Sequence, residues 1–426
     1  MVGDSADEDV DDNNPTIKLS AHNPMGKNQY SCVVKNDSRV NQILHKYQQH
    51  VVMSHHHISQ LLLVEHNIKM PTTVTRHRKD LNLQASGATT RLLSFVVKRQ
   101  LVLDELAQDP LNRRGPWTVC EGIVATSGML LTRQYIQTEM QIHELNGFLS
   151  RAPMAKKIFR TQLGSLGLHH EWSGDGHDKL TAIGFPIWAV RDVFSGKWLG
   201  MWVVPNNCCG ATIAYLYLSL VYCYGGIPFQ TIMDCGSETT QVYGFANALW
   251  EYFSLHLSTD ELPAHYFMRS VNNITIERGW LQLCLQWGNN VKVFWEVGHE
   301  MYNDMDPCQS ELVQWLWGKL IQQELDQFMD HFNNHIHHDK NKKLPSGVSP
   351  DAAFALYDQY GGEDCLQKVD REVVRELMED IGGVDLIHFV DTGYDVHAQA
   401  VFDSLDCTAL TLQNVWAVFS AMLPLM

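Results

Sequence analysis

The chain has 426 residues, 45% of them apolar and 12 of them Trp, which excludes an intrinsically disordered protein. Its 32 Lys and Arg against 48 Asp and Glu give a formal charge of −16, which argues against tight non-specific binding to nucleic acid. Ten scattered Cys with no Cys-x-x-Cys pair exclude a zinc ribbon and a disulfide framework, and the longest apolar run, Ala211 to Tyr224, falls short of the ~20 residues of a membrane span.

Residues 1–37 are acidic and poor in large apolar side chains, so a disordered tail is expected there. Residues 38–85 read as a helix-turn-helix. Helices are expected at Asn41 to His50 and His57 to His66, the latter with Ile58, Leu61 and Leu62 on one face. A short connection then leads to a third helix from Pro71, a residue suited to a first helical position, to Leu81. In such a layout the last helix enters the DNA major groove, which makes Thr72, Thr73, Arg76, Arg78 and Lys79 the DNA-facing candidates. The His-rich stretches His55 to His57 and His335 to His338 have no partner at zinc-ligand spacing nearby, so exposed polar histidines are expected at both.

Residues 86–166 read as a helical module, with helices at Pro116 to Met129, Thr132 to Glu144 and Met154 to Leu163. Its basic residues, among them Arg113, Arg114, Arg133, Lys156, Lys157 and Arg160, suit either a second nucleic-acid contact or an interdomain spacer.

From His169 the pattern turns strand-like. Candidate strands at 169–177, 185–192 and 198–204 are joined by short turns, so they should form an antiparallel meander. A helix (Ala211 to Tyr224), a strand ending at Asp234, a helix (Gln241 to Phe253), a short strand at His265 to Phe267 and a further helix bearing Glu277 follow. Three antiparallel strands and then alternating helix and strand describe a mixed five-stranded sheet with helices on both faces, the ribonuclease H-like order of the α/β class. Asp175, Asp234 and Glu277 offer three carboxylates from three elements of this region, a set that suits hard divalent cations such as Mg²⁺ or Mn²⁺. Asp178, Asp192 and Glu238 read as structural acids: the first on the opposite strand face, the second closing a turn through Ser195, the third at a helix start.

Five segments carry a resemblance: Trp172–Leu180 (WSGDGHDKL), Arg191–Ser195 (RDVFS), Gly225–Pro228 (GGIP), Asp234–Glu238 (DCGSE) and Ser270–Trp280 (SVNNITIERGW). In this order they resemble the catalytic core of the retroviral and transposon integrase superfamily, most closely a fungal lineage of cellular integrase-core-domain proteins descended from mobile elements. Leu316–Asp326 and Pro345–Pro350 look like the same lineage. The resemblance implies a core over residues 167–345 and Asp175, Asp234 and Glu277 as catalytic metal ligands. It further implies Mg²⁺ or Mn²⁺ as cofactor, DNA as partner, and two-metal cleavage and strand transfer as the reaction. A DNA-binding or scaffold protein on a catalytically silent, domesticated integrase fold is the alternative.

The last segment, 346–426, is acidic and helical around Asp370 to Ile381 and Leu412 to Met422, a small module for packing or for a homo-oligomer. The whole is expected to be soluble and intracellular, nuclear or cytoplasmic, with no membrane partner.

Overall fold

Alternation along two strands sets the layers. In the segment Ile187–Asp192, Ile187 and Ala189 point into one hydrophobic cluster while Trp188 and Val190 point into another. Trp198, Met201 and Val203 against Leu199 and Trp202 repeat the division in Trp198–Val203. A strand apolar at every position must be covered on both faces, and this one is. The computed structural model describes residues 37–52, 54–70, 74–143, 164–254, 263–268, 273–337, 344–405 and 409–426.

The sheet has five strands: β1 (Glu171–His177), β2 (Ile187–Asp192), β3 (Trp198–Val203), β4 (Gln230–Asp234) and β5 (His265–Met268). Their order is β3-β2-β1-β4-β5; β1, β2 and β3 pair antiparallel, while β4 and β5 run parallel to β1. This is the mixed sheet expected from the sequence. The expected turn between the first two strands is instead a 3₁₀ helix, Asp178–Ile183, pinned by buried Leu180.

Seven helices precede the sheet among the described residues: α1 (Ser38–Gln49), α2 (His55–His66), α3 (Val74–Asp80), α4 (Ser86–Leu92), α5 (Phe95–Leu106), α6 (Pro116–Ser127) and α7 (Arg133–His143). Asp37 and Ser54 cap α1 and α2 by accepting from the backbone of Arg39 and His57, and Asn67 ends α2 in the left-handed conformation. Helix α8 (Gly210–Tyr224) and α9 (Thr240–Phe253) cover one sheet face. The other face is covered by α10 (Ile274–Leu283), α11 (Asn289–Gly298) and the long α12 (Pro307–Asn334). Pro307 at the first turn of α12 and Asp306 as its cap fix that helix's start.

The C-terminal helices are α13 (Pro350–Ala355), α14 (Arg371–Asp380), α15 (Thr392–Ser404) and α16 (Val415–Met422). They share the core's own clusters. Trp416 of α16 packs against Trp295 and Trp317, and Val374 of α14 joins the α8–α9 layer. Two short strands tie the same segment down: Glu363–Asp364 pairs with Gly167–Leu168, and Gln367–Lys368 with Gly226–Ile227. At the other end Leu356 is buried among residues of α1, α2 and α3. Each such fully buried large side chain contributes roughly 1.5–3 kcal/mol.

Several expectations fall outside the described residues: the acidic tail up to residue 36, Thr72 and Thr73, the helix from Met154 to Leu163, and His338. In α3, Arg76 and Lys79 are exposed, but Arg78 is 5% exposed and its guanidinium donates to Gln48 of α1 at 2.7 Å. The expectation that Arg78 faces DNA is therefore corrected: spacing along one short helix turned it inward, where it clasps α3 to α1. Arg114 is likewise structural, bonded to Glu105 at 2.7 Å and to the carbonyl of Gln286.

A candidate carboxylate metal centre

Period-two alternation aims the first acid. Ser173, Asp175 and His177 of β1 face α10, whereas Gly174 between them backs onto Met233 and Trp188 on the other side. A Cβ at position 174 would meet Met233 Cε at 2.8 Å, so glycine lets the strand lie flat there. Strand β4 runs parallel to β1 with Ser173 opposite Ile232, and two residues further along each strand bring Asp175 beside Asp234.

Helix α10 supplies the third acid. Asn273 stands just before it and donates to the carbonyl of Gly174, while Ser173 Oγ donates to the Asn273 side chain. This clamp ties the helix start to the strand residue preceding Asp175. Glu277 follows one turn later, its N–H bonded to the carbonyl of Asn273, and Trp280 lies on the same face. The Trp280 indole N–H donates to Asp175 Oδ2 at 2.9 Å. Buried Arg191 of β2 holds the far side of α10 by donating to the carbonyl of Thr275 at 2.6 Å.

Asp175, Asp234 and Glu277 line one open hollow of about 740 Å³ together with His177, Asp178, Asn207, Glu238 and others. Burial lifts the Asp175 carboxyl, the Trp280 bond opposes the lift, and the charges of Asp234 and Glu277 add to it, leaving the group at about 7. The oxygens of these three acids are not among the ligand sets whose atoms all lie within 4.8 Å of one another. They share a hollow without crowding around one point.

The structural acids behave variously. Asp192 is fully buried and accepts from the backbone of His169 and from both the N–H and Oγ of Ser195, as expected of a turn-closing acid. Asp178 leaves the strand for the 3₁₀ helix and accepts from Asn207 Nδ2 at 2.7 Å, so it stands at the rim of the hollow instead of on the far sheet face. Glu238 lies within a 3₁₀ turn, curls over Gly236 and lines the hollow; no side-chain bond caps α9.

Two contributors escaped sequence reasoning. His177 stacks on Trp280 with ring centroids 4.7 Å apart, and burial followed by the charge of Lys179 pushes its imidazole down to about 4. Asn207, from the loop after β3, reaches Asp178. His177 had one available signal, its position two residues after Asp175 and so on the same strand face. Leu281 is 56% exposed on the rim, and buried Ile276, Trp280 and Leu283 anchor α10.

No helix among the described residues is long and apolar enough to cross a membrane. No curated protein matches the chain. The integrase core domain family matches residues 168–356, a span that holds the sheet, α8 to α12, all three carboxylates and the segment through Leu356. Residues 168–356 of this chain are an integrase core domain.

Proposed function

We propose that the chain is a DDE-type polynucleotidyl transferase that cleaves DNA and joins strands, with Asp175, Asp234 and Glu277 as its catalytic metal ligands. The observation that carries this reading is that Asp175, Asp234 and Glu277 line one open hollow within the region matched by the integrase core domain family; burial and the two acidic neighbours also raise the Asp175 carboxyl. A carboxyl group so placed is relieved by cations, and an all-carboxylate donor set fits hard Mg²⁺ or Mn²⁺. Two ions side by side, roughly 3.5–4 Å apart, are the arrangement that such a set of acids serves in phosphoryl transfer. Such a pair, when bound, would activate an attacking oxygen and stabilise the leaving one.

The remaining work belongs to the chain. Trp280 fixes the Asp175 carboxylate by donating to Oδ2. Asn273 sets the height of α10, and with it Glu277, against β1. His177 is neutral at pH 7, so it packs behind Trp280 without placing a positive charge beside the site. Outward-facing Arg76 and Lys79 supply phosphate contacts from α3.

The test is metal-dependent cleavage and joining of labelled duplex DNA by the purified chain. Product is expected with Mg²⁺ or Mn²⁺ and none from Asp175→Asn. Equal product from both proteins would end the proposal. The charge of −16 favours a second reading, a silent integrase fold that binds DNA or scaffolds other proteins. It predicts salt-sensitive DNA binding that Asp175→Asn leaves intact, with no product from either protein. Offering an RNA–DNA hybrid in the same assay separates a ribonuclease of this fold from the first reading.

A further inference from the structure

A second cluster of ligand-type side chains lies away from the sheet, where α6 meets the end of α12. His331 and His335 are one turn apart, so both project from the same face of the last turn of α12. Glu121 of α6, 5% exposed, meets them: its Oε2 lies 3.1 Å from His331 Nε2 and 2.7 Å from His335 Nδ1. Among the described residues these three form the group whose ligand atoms all fall within 4.8 Å of one another.

Three features distinguish this cluster from a plain ion pair. His331 Nε2 is sealed from solvent and makes no well-aligned hydrogen bond, although Glu121 Oε2 is within reach. A proton on that nitrogen would point past the carboxylate oxygen, whereas an ion between the two would satisfy both. The surroundings also favour a cation: the negative end of the 28-residue α12 helix lies at this corner. Finally, the donor set is two imidazoles and one carboxylate, a combination that selects first-row transition ions over Mg²⁺ or Ca²⁺.

We propose that Glu121, His331 and His335 form a binding site for one divalent transition-metal ion of the Zn²⁺ class, with water in the fourth position, which pins α6 to the end of α12. Tetrahedral Zn²⁺ with bonds of about 2.0–2.1 Å holds its ligand atoms about 3.3 Å apart, so Glu121 Oε2, now 3.1 Å from His331 Nε2 and 2.7 Å from His335 Nδ1, would have to draw back slightly from the first and by about half an ångström from the second. The site joins the helical region before the integrase core to the core's longest helix. It is separate in residues and in chemistry from the Asp175 hollow.

The experiment uses the full chain carrying Asp175→Asn and Asp234→Asn, with His55, His56 and His57 changed to Ala, so that other ligands are silent. Chelator-stripped protein is titrated with Zn²⁺ by calorimetry and with Co²⁺ by visible absorption. One ion per chain, tighter than ~1 μM, with tetrahedral Co²⁺ bands and a raised Tm, is expected. His335→Ala and Glu121→Gln should each weaken binding by at least ~10-fold, whereas Cys308→Ser should not. In case a variant fails to fold, Zn²⁺ protection of His335 from carboxyethylation is read by mass spectrometry on the unsubstituted chain. Binding no tighter than millimolar, affinity unchanged by both substitutions, or absence of that protection would reduce the cluster to a hydrogen-bonded clasp.

Discussion

Asp175 and Glu121 are both carboxylates drawn out of water, and their neighbours push them in opposite directions. Burial raises each. At Asp175 the acids Asp234 and Glu277 add to that rise, and one indole bond does not offset it. At Glu121 the close imidazoles of His331 and His335 outweigh burial and hold the group below its ordinary range. The sign of the neighbours decides the outcome, and the two places therefore invite different chemistry. The acidic hollow is unbalanced until cations enter; the His-lined corner is balanced and gains rigidity from an ion.

The largest effect should come from the centre of the first region. Asp175→Asn is expected to bring DNA cleavage to background while raising the thermal stability of metal-free protein at pH 8, measured by product yield and by Tm. Loss of both activity and stability would mean that the ionised carboxylate is a structural asset, contrary to its raised pKa.

Trp280→Phe keeps the stack on His177 and deletes the bond to Asp175 Oδ2. Mutating a group that orients a metal ligand typically costs about 10–100-fold, and that drop is expected in metal affinity and rate. A Mg²⁺ titration of activity reads it.

The pH dependence of stability separates the two carboxylates. In the folded metal-free chain Asp175 keeps its proton up to about 7, whereas the unfolded chain releases it near pH 3.9. The folded state then binds more protons, so this group's contribution to stability falls as pH rises from about 4 to 7, by at most roughly 4 kcal/mol. Saturating Mg²⁺ should reverse that fall. Glu121 has the opposite sign: its lowered pKa gives stability above the ordinary carboxylate pKa, lost as pH falls through the folded value. Denaturant melts from pH 3 to 8 on wild type, Asp175→Asn and Glu121→Gln should display the two slopes separately.

The smallest effects lie in α3. Arg78→Ala should destabilise the chain by about 1–3 kcal/mol because it removes the donor to buried Gln48 Oε1. Arg76→Ala should leave stability within ±0.5 kcal/mol and instead lower the salt dependence of DNA binding by about one unit. Salt-titrated DNA binding and urea melts on the two variants would expose an exchange of these roles.

The five-stranded sheet was legible because apolar period, short turns and the order of strands and helices agree with one another along the chain. The sequence set Asp175 and Asp234 on strands and Glu277 on a helix, and the fold gathers the three around one hollow. Less could be read where contacts cross elements. Arg76 and Arg78 look alike in sequence, and only packing of α3 on α1 buried the second. The segment after residue 346 reads as a small helical module by composition, yet its Trp416 and Val374 lie in the core's own clusters.

By itself, then, the sequence determined the sheet and its order, since alternation and helical spacing act over a few residues. Only the tertiary structure could decide that Asp175 keeps a proton to about 7, because that depends on the acids brought against it from β4 and α10. The same holds for His335, whose histidine-rich stretch looked like exposed polar surface. Its partner Glu121 lies 214 residues away, a distance across which no local periodicity carries information.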